Sequence, residues 1–248
     1  DGVLVSGGST LAVDQLLGWG DALGTDGTYL YAFSDYQTGY NMYTKEILKI
    51  SPTTGALANT TTLPSCSTTP CKQVNYVDGL AFINGTLWAA GGYSDYTGAY
   101  SEGVFSINTS TGLINTVIAV QSGNQYNPDT VYGLTSDGTY LYGGMHYHTN
   151  CTPNEIGGYD CDCNDGVVKF LPTAASISAA ADMWMTYGMN TEKLAFDTTN
   201  NVLWIDGAKH DSTGALLNFF IPPGSVGAVI NGKLYDAERG KIRVYQAP

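Results

Sequence analysis

The residues best equipped for chemistry in this 248-residue chain are tyrosines, aspartates and histidines gathered in a few polar segments. SDYQTGYNMYTKE (34–46) and YSDYTGAYSE (93–102) share the string Ser-Asp-Tyr, followed by Gly and Tyr. This sharing singles out Asp35, Tyr36, Tyr40, Asp95, Tyr96 and Tyr100 as one candidate ligand-binding face. Tyrosine offers a large, rigid contact area with a polar tip at little entropic cost. A carboxylate beside it can hold sugar hydroxyls. A third segment (145–166) contains Asp160-x-Asp162-x-Asn164-Asp165-Gly166, alternating oxygen donors of the hard kind that calcium prefers. Asp160, Asp162 and Asn164 are the candidate ligands, and calcium is the one cofactor the sequence suggests. The helix–loop–helix version is excluded, because the sixth position is Asp165 and the twelfth is Leu171. His146-Tyr-His148 on an extended segment would turn both imidazoles to one side. His210, in the segment 206–214, would then supply a third metal ligand, or a base paired with Asp206 or Asp211.

Other chemistries have no carrier. The chain lacks a Gly-x-Ser-x-Gly elbow, a phosphate-cradling Gly-x-x-x-x-Gly-Lys-Ser/Thr (Gly227–Lys233 is followed by Leu234) and a His-Glu-x-x-His helix. A formal net charge of −12, with no Lys- or Arg-rich run, argues against a nucleic-acid partner. No apolar stretch approaches the ~20 residues that span a bilayer as a helix. Paired acids of a hydrolase or lactonase cannot be matched from spacing alone, so loop carboxylates stay open as catalytic groups.

Five cysteines occur, at 66, 71, 151, 161 and 163, all in segments expected to be loops. Cys66 and Cys71 bracket the short loop SCSTTPC and form the natural local disulfide; Cys151 can pair with Cys161 or Cys163, leaving one thiol over. Sequons begin at Asn59, Asn84, Asn108 and Asn150, in expected turns or loops where a glycan fits. Disulfides, sequons and an Asp1 start that looks like a processed chain together indicate an oxidising, extracellular setting.

These segments hang on a repeated frame. Thr25–Ser34 reads TDGTYLYAFS, Ile83–Gly92 reads INGTLWAAGG and Ser136–Met145 reads SDGTYLYGGM; Thr199–Gly207 reads TNNVLWIDG and Ile230–Ala237 reads INGKLYDA. Each is a two-residue turn followed by a strand with a central aromatic residue, and Asn-Gly or Asp-Gly supplies the positive φ of a tight hairpin. Recurrence at roughly 50-residue spacing indicates radial or stacked repeats. The 31 glycines and 18 tyrosines suit many short strands and turns.

The pattern resembles an all-β β-propeller of five four-stranded blades, without the Gly-His and Trp-Asp dipeptides of WD repeats and with only a partial match to kelch repeats. That resemblance implies a single propeller domain over 1–248, with blades near 17–65, 76–122, 130–186, 190–222 and 226–248, the last completed by 1–6. Gly2–Ser6 (GVLVS) is expected to close the ring as the outer strand of the last blade, which removes exposed edges at the seam. The fourth repeat leaves little room for a fourth strand before Pro222-Pro223. Ala174–Met185 reads as an insertion or a distorted outer strand with helical propensity.

Charged residues are only 13% of the chain, about half the usual share. Such a composition resembles secreted and viral coat proteins of thermoacidophilic archaea, where few ionisable groups limit the penalty of extreme pH. The expected function is therefore a glycosylated extracellular, cell-surface or virion-surface propeller with a structural or interaction role. It would be a subunit of a surface layer, filament or virion, or an adhesin, partnered by itself, by other surface proteins or by glycans. The alternatives are a carbohydrate-binding lectin and a calcium- or metal-assisted hydrolase or lactonase.

Overall fold

Alternation of apolar residues along the repeated phrases determines how the chain packs. The structure is a computed structural model that describes residues 9–13, 22–39, 42–121, 129–154, 159–187, 191–219, 226–238 and 240–246. Five antiparallel sheets form the blades of a propeller. The first consists of Leu23–Thr25, Leu30–Gly39, Met42–Ile50 and Leu57–Thr62, from the hub outward. The second runs Lys72–Ile83, Thr86–Asp95, Tyr100–Ile107, Ile114–Val120, and the third Thr130–Ser136, Leu141–Pro153, Tyr159–Phe170, Met183–Tyr187. The fourth is Leu194–Asp197, Val202–Ile205, Ala208–His210, Leu216–Phe219. The fifth takes Ala228–Ile230, Lys233–Glu238 and Lys241–Gln246 from the end of the chain and Ser9–Ala12 from its beginning.

The turns of the phrases are built locally. Asn84-Gly85 and Asn231-Gly232 have positive φ at both positions, the geometry a two-residue hairpin needs. In blades one and three an aspartate takes that role. Asp26 Oδ1 accepts from the Thr28 and Tyr29 amides, while its Oδ2 accepts the Tyr31 hydroxyl at 2.9 Å. Asp137 repeats the set with Thr139, Tyr140 and Tyr142. Lys49 and Lys169 lie over the paired tyrosine rings on the outer side of the same strands.

Because side chains alternate across a strand, each phrase splits its apolar residues between two neighbouring blades. Leu30 and Ala32 pack toward blade five, while Tyr31 and Phe33 pack toward blade two. The central aromatics Tyr31, Trp88, Tyr142, Trp204 and Tyr235 all point the same way round the ring, each into the cluster shared with the next blade. Tyr31 stacks on Phe82 and Tyr142 on Phe196, the inner strands of those next blades. Five core clusters, one per blade interface, are the result.

At the hub the inner strands touch in ring order, and four of the five contacts are made at a glycine. A Cβ on Gly24 would lie 2.6 Å from the Leu80 carbonyl, and one on Gly133 would lie 2.8 Å from that of Thr191. A Cβ on Gly79 would collide with the Leu134 amide, and one on Gly227 with Leu23. On the side of the phrase turns, the hub opens into a funnel of about 350 Å³ lined by Gly24, Thr25, Leu80, Thr135, Phe196 and Gly227, among others.

The seam closes with a different segment from the one expected. Gly2–Ser6 lies outside the described residues; Ser9–Ala12 pairs antiparallel with the last strand, Ser9 opposite Val244 and Ala12 opposite Lys241. Val13, which follows, is buried and donates its amide to the Gly240 carbonyl. The fourth blade is complete because Asp206-Gly207, both at positive φ, turn the chain in two residues, leaving Ala208–His210 as a short third strand and Leu216–Phe219 as a fourth. The Ala174–Met185 region divides three ways. Ser176–Ile177 adds a parallel fifth strand to blade two, Ala179–Asp182 forms one helical turn capped by Ser178, and Met183–Tyr187 becomes the outer strand of blade three.

Gly133→Ala tests the hub. Its new methyl group meets backbone rather than a yielding side chain, so a loss of about 1–3 kcal/mol and a Tm lower by several degrees are expected in a thermal melt. An unchanged Tm would mean the hub strands can separate freely.

Candidate functional site

The polar segments are strands rather than loops, and this shapes the face opposite the phrase turns. In blade one the hairpin pairs Asp35 with Lys45, Tyr36 with Thr44 and finally Gly39 with Met42. In blade two the ladder reaches Ser94 opposite Tyr100, and in blade three it continues to Pro153 opposite Tyr159. Blades four and five turn at once, with Ile205 opposite Ala208 and Glu238 opposite Lys241. Three tall hairpins therefore stand beside two low turns. Their upper parts have few apolar residues on either side, so the alternation that marks a half-buried strand is absent from the sequence there.

The two Ser-Asp-Tyr strings do not occupy equivalent positions. Asp35 comes four residues after the central aromatic Tyr31, whereas Asp95 comes seven after Trp88. An odd difference puts them on opposite sides of their strands. Asp35 is half-buried and burial raises its pKa, against the opposing pull of Lys45; its Oδ1 is buried with no hydrogen-bond partner. Lys45 in turn donates to the Val74 carbonyl of blade two. Asp95 caps the tip of its hairpin, accepting from the Thr97 and Ala99 amides and the Thr97 hydroxyl, which hold its carboxyl below the usual range. Tyr36 is half-buried, Tyr96 and Tyr100 are about half exposed, and Tyr40 lies outside the described residues.

What sequence reading missed is an acid–tyrosine cluster at the start of the inner strand of blade two. Tyr76 Oη donates to Glu102 Oε1 at 2.7 Å, Tyr100 Oη donates to the same oxygen, and the two hydroxyls lie 2.8 Å apart. Gly92 makes room, since a Cβ there would strike both rings. Burial, reinforced by Glu102, raises the Tyr100 pKa to about 12. Asp78 follows on the same inner strand, with its pKa pushed up to about 7 by burial first, then by Glu102 and Glu192, against Lys193. The two bulges, at Val74/Tyr76 and Val77/Gly79, re-aim this strand, and bulges leave no mark in composition.

Blade three holds a second cluster. His146 and His148 share a strand face and stand opposite Asp165 and Cys163, so all four side chains lie on one side of the hairpin. His146 Nδ1 is 2.9 Å from Asp165 Oδ1, and the two imidazoles meet edge to face at 4.9 Å. His210 does not join them. It is a buried residue at the far end of its own strand, hydrogen-bonded through Nδ1 to the Gly214 carbonyl, with its pKa lowered by burial.

The acidic run is also part of this hairpin. Asp160, Asp162 and Asn164 alternate along Tyr159–Phe170 on the face opposite Cys163, drawn out by the extended backbone. Asp162 accepts from Asn150 Nδ2, Asp160 from Asn154 Nδ2, and Asn164 donates to Thr149. Disulfides join Cys66 to Cys71 and Cys151 to Cys161, and Cys163 is a free, exposed thiol. Of the sequon residues, Asn84 and Asn108 sit in turns, while Asn59 and Asn150 lie within strands; Asn59, Asn84 and Asn150 are exposed. No helix of the described residues is long and apolar enough to cross a membrane.

No protein-family model and no curated protein matches the chain. Among solved structures, it is similar to a putative oxidoreductase (glucose dehydrogenase) from Thermus thermophilus, at 14% identity and a TM-score of 0.46, covering 96% of this chain and 86% of that one. It is also similar to a glucose dehydrogenase at 13% identity and a TM-score of 0.41, covering 90% and 79%. At that level neither bears on the chemistry of this chain.

The Asp78 environment has a pH signature. An acid whose folded-state pKa lies above its unfolded value of about 4 holds a proton in the native state between the two, so stability falls as pH rises from about 4 to about 7. Asp78→Asn is expected to stabilise the fold at pH 8 by on the order of 1 kcal/mol after allowance for solvent screening, seen as a higher Tm, and to leave the Tm unchanged at pH 4. A variant less stable than the parent at pH 8 would show that the Asp78 charge is welcome in the fold.

Proposed function

We propose that this chain is an extracellular, glycosylated propeller whose work is interaction, as a subunit of a surface layer, filament or virion, or as an adhesin. The observation that carries the reading is the lopsided face built by the three tall hairpins. It presents Tyr43, Tyr96 and Tyr100, which are 59%, 48% and 53% exposed. Rigid aromatic side chains with polar tips are the residues interfaces favour, and exposed ones on projecting elements are available to a partner. Two disulfides fit an oxidising setting, and the ring closure between Ser9–Ala12 and Lys241–Gln246 leaves assembly to surfaces rather than to an open seam. The differing registers of the two Ser-Asp-Tyr strings favour interaction over a lectin with equivalent sites repeated between blades.

One observation favours a second reading, a hydrolase. Asp78, with a pKa near 7 beside Glu102, is poised to exchange a proton at neutral pH, which is what a general acid or base requires.

Light scattering of the native protein, beside its intact mass before and after deglycosylation, separates the two. Interaction predicts added sugar mass and particles larger than 26.3 kDa, reverting to monomer in Tyr43→Ala/Tyr96→Ala with an unchanged Tm. An unmodified monomer that stays monomeric would sink the reading and turn attention to hydrolysis, with Asp78→Asn and Glu102→Gln as the decisive variants.

A further inference from the structure

We propose that His146, His148 and Cys163 form a binding site for a divalent transition ion of zinc's class. The Nδ1 or Nε2 of each histidine and the Sγ of Cys163 offer one ligand atom each, and these atoms all lie within 4.8 Å of one another. An ion bonded at about 2.0–2.1 Å to nitrogen and about 2.3 Å to sulfur holds such ligands roughly 3.3–3.6 Å apart, so side-chain rotations that draw the atoms about 1 Å closer would close the site. Strand alternation has already put all three on one face of a paired hairpin, the rigid kind of support a metal site needs.

The surroundings are those of ligating histidines. A metal-binding imidazole usually gives its other ring nitrogen to a carboxylate, which sets its tautomer and orientation. Asp165 does this for His146 Nδ1 at 2.9 Å. Asp129, itself buried, takes the backbone amide of His148 at 3.1 Å and lies 3.9 Å from its Nδ1, a nitrogen that is buried and makes no hydrogen bond. Asp165 thereby leaves His146 Nε2 for the ion. Two imidazoles and one thiolate are a borderline-soft set, matching zinc or cobalt rather than calcium or magnesium.

Three protein ligands leave a fourth position open, the arrangement of reactive rather than purely structural sites. His148 also lines a cavity of about 410 Å³ with Asp129, Thr149, Ser178 and Met183. Coordination would also settle the fate of Cys163. An exposed thiol can attack a disulfide by exchange; Cys163 lies two residues along the chain from the Cys151–Cys161 bridge, and a metal-bound thiolate is withdrawn from that reaction. On binding, the Cys163 proton passes to solvent and the thiolate takes its place in the ion's shell.

Cobalt(II) titrated into the full chain is the test. One equivalent is expected to bind with a thiolate-to-cobalt absorption in the near ultraviolet, to be displaced by zinc(II), and to protect Cys163 from alkylation in the wild-type protein. Cys163→Ser should abolish the absorption, His148→Ala should weaken binding beyond measurement, and Asp165→Asn should weaken it about 10–100-fold, each with the far-ultraviolet circular dichroism of the parent. The proposal fails if cobalt gives no thiolate band and zinc does not slow alkylation. It fails equally if binding survives Cys163→Ser unchanged, or if non-reducing mass analysis of native protein finds Cys163 bridging two chains.

Discussion

Everything in this molecule is arranged around five inner strands, four of whose five contacts are so close that a glycine is needed at each. Gly24, Gly79, Gly133 and Gly227 are the contacts, and at each a single methyl group would overlap the neighbouring blade. Strands this close make a small ring, which has two consequences. The apolar side chains cannot point inward and must alternate between blade interfaces, where the repeated aromatics fill the widening wedge. Polar groups at the ends of the inner strands are crowded toward one axis, where water reaches them poorly.

Asp78, Glu102 and Glu192 show what that crowding does. Each belongs to a different segment of the chain, and nothing in their spacing announces a cluster, yet the hub brings them close enough for their charges to oppose one another. Tyr76 and Tyr100 share a single oxygen of Glu102, and the pair of rings fits only because residue 92 is glycine. Burial among other carboxylates works against the charged form of Asp78, so this corner of the hub costs stability as the pH rises.

The hairpins above the hub follow a different logic. Below, the inner two strands of each blade are held chiefly by burial. Above, blades one to three are held by cross-strand pairing, side-chain hydrogen bonds and, in blade three, a disulfide. The same polar composition that frees these hairpins from the core makes them look like loops in the sequence. Register alone decides which of their side chains meet: a slip of one residue between Leu141–Pro153 and Tyr159–Phe170 would send Cys163 to the other face from His148.

Local chemistry was therefore legible from the sequence, and pairing was not. The Asn-Gly and Asp-Gly turns, the strand after each, the alternation that places a central aromatic on one side and the Cys66–Cys71 bridge all follow from residues within a few positions of one another. The five-bladed plan followed from their repetition. Only tertiary structure decided that Ser9–Ala12 closes the ring, that Asp206-Gly207 is a turn rather than the start of a loop, and that His148 faces Cys163 instead of His210. Those outcomes depend on strand register and on the crowded hub, both set by contacts between residues far apart in the chain, where composition and periodicity carry no record of the partner.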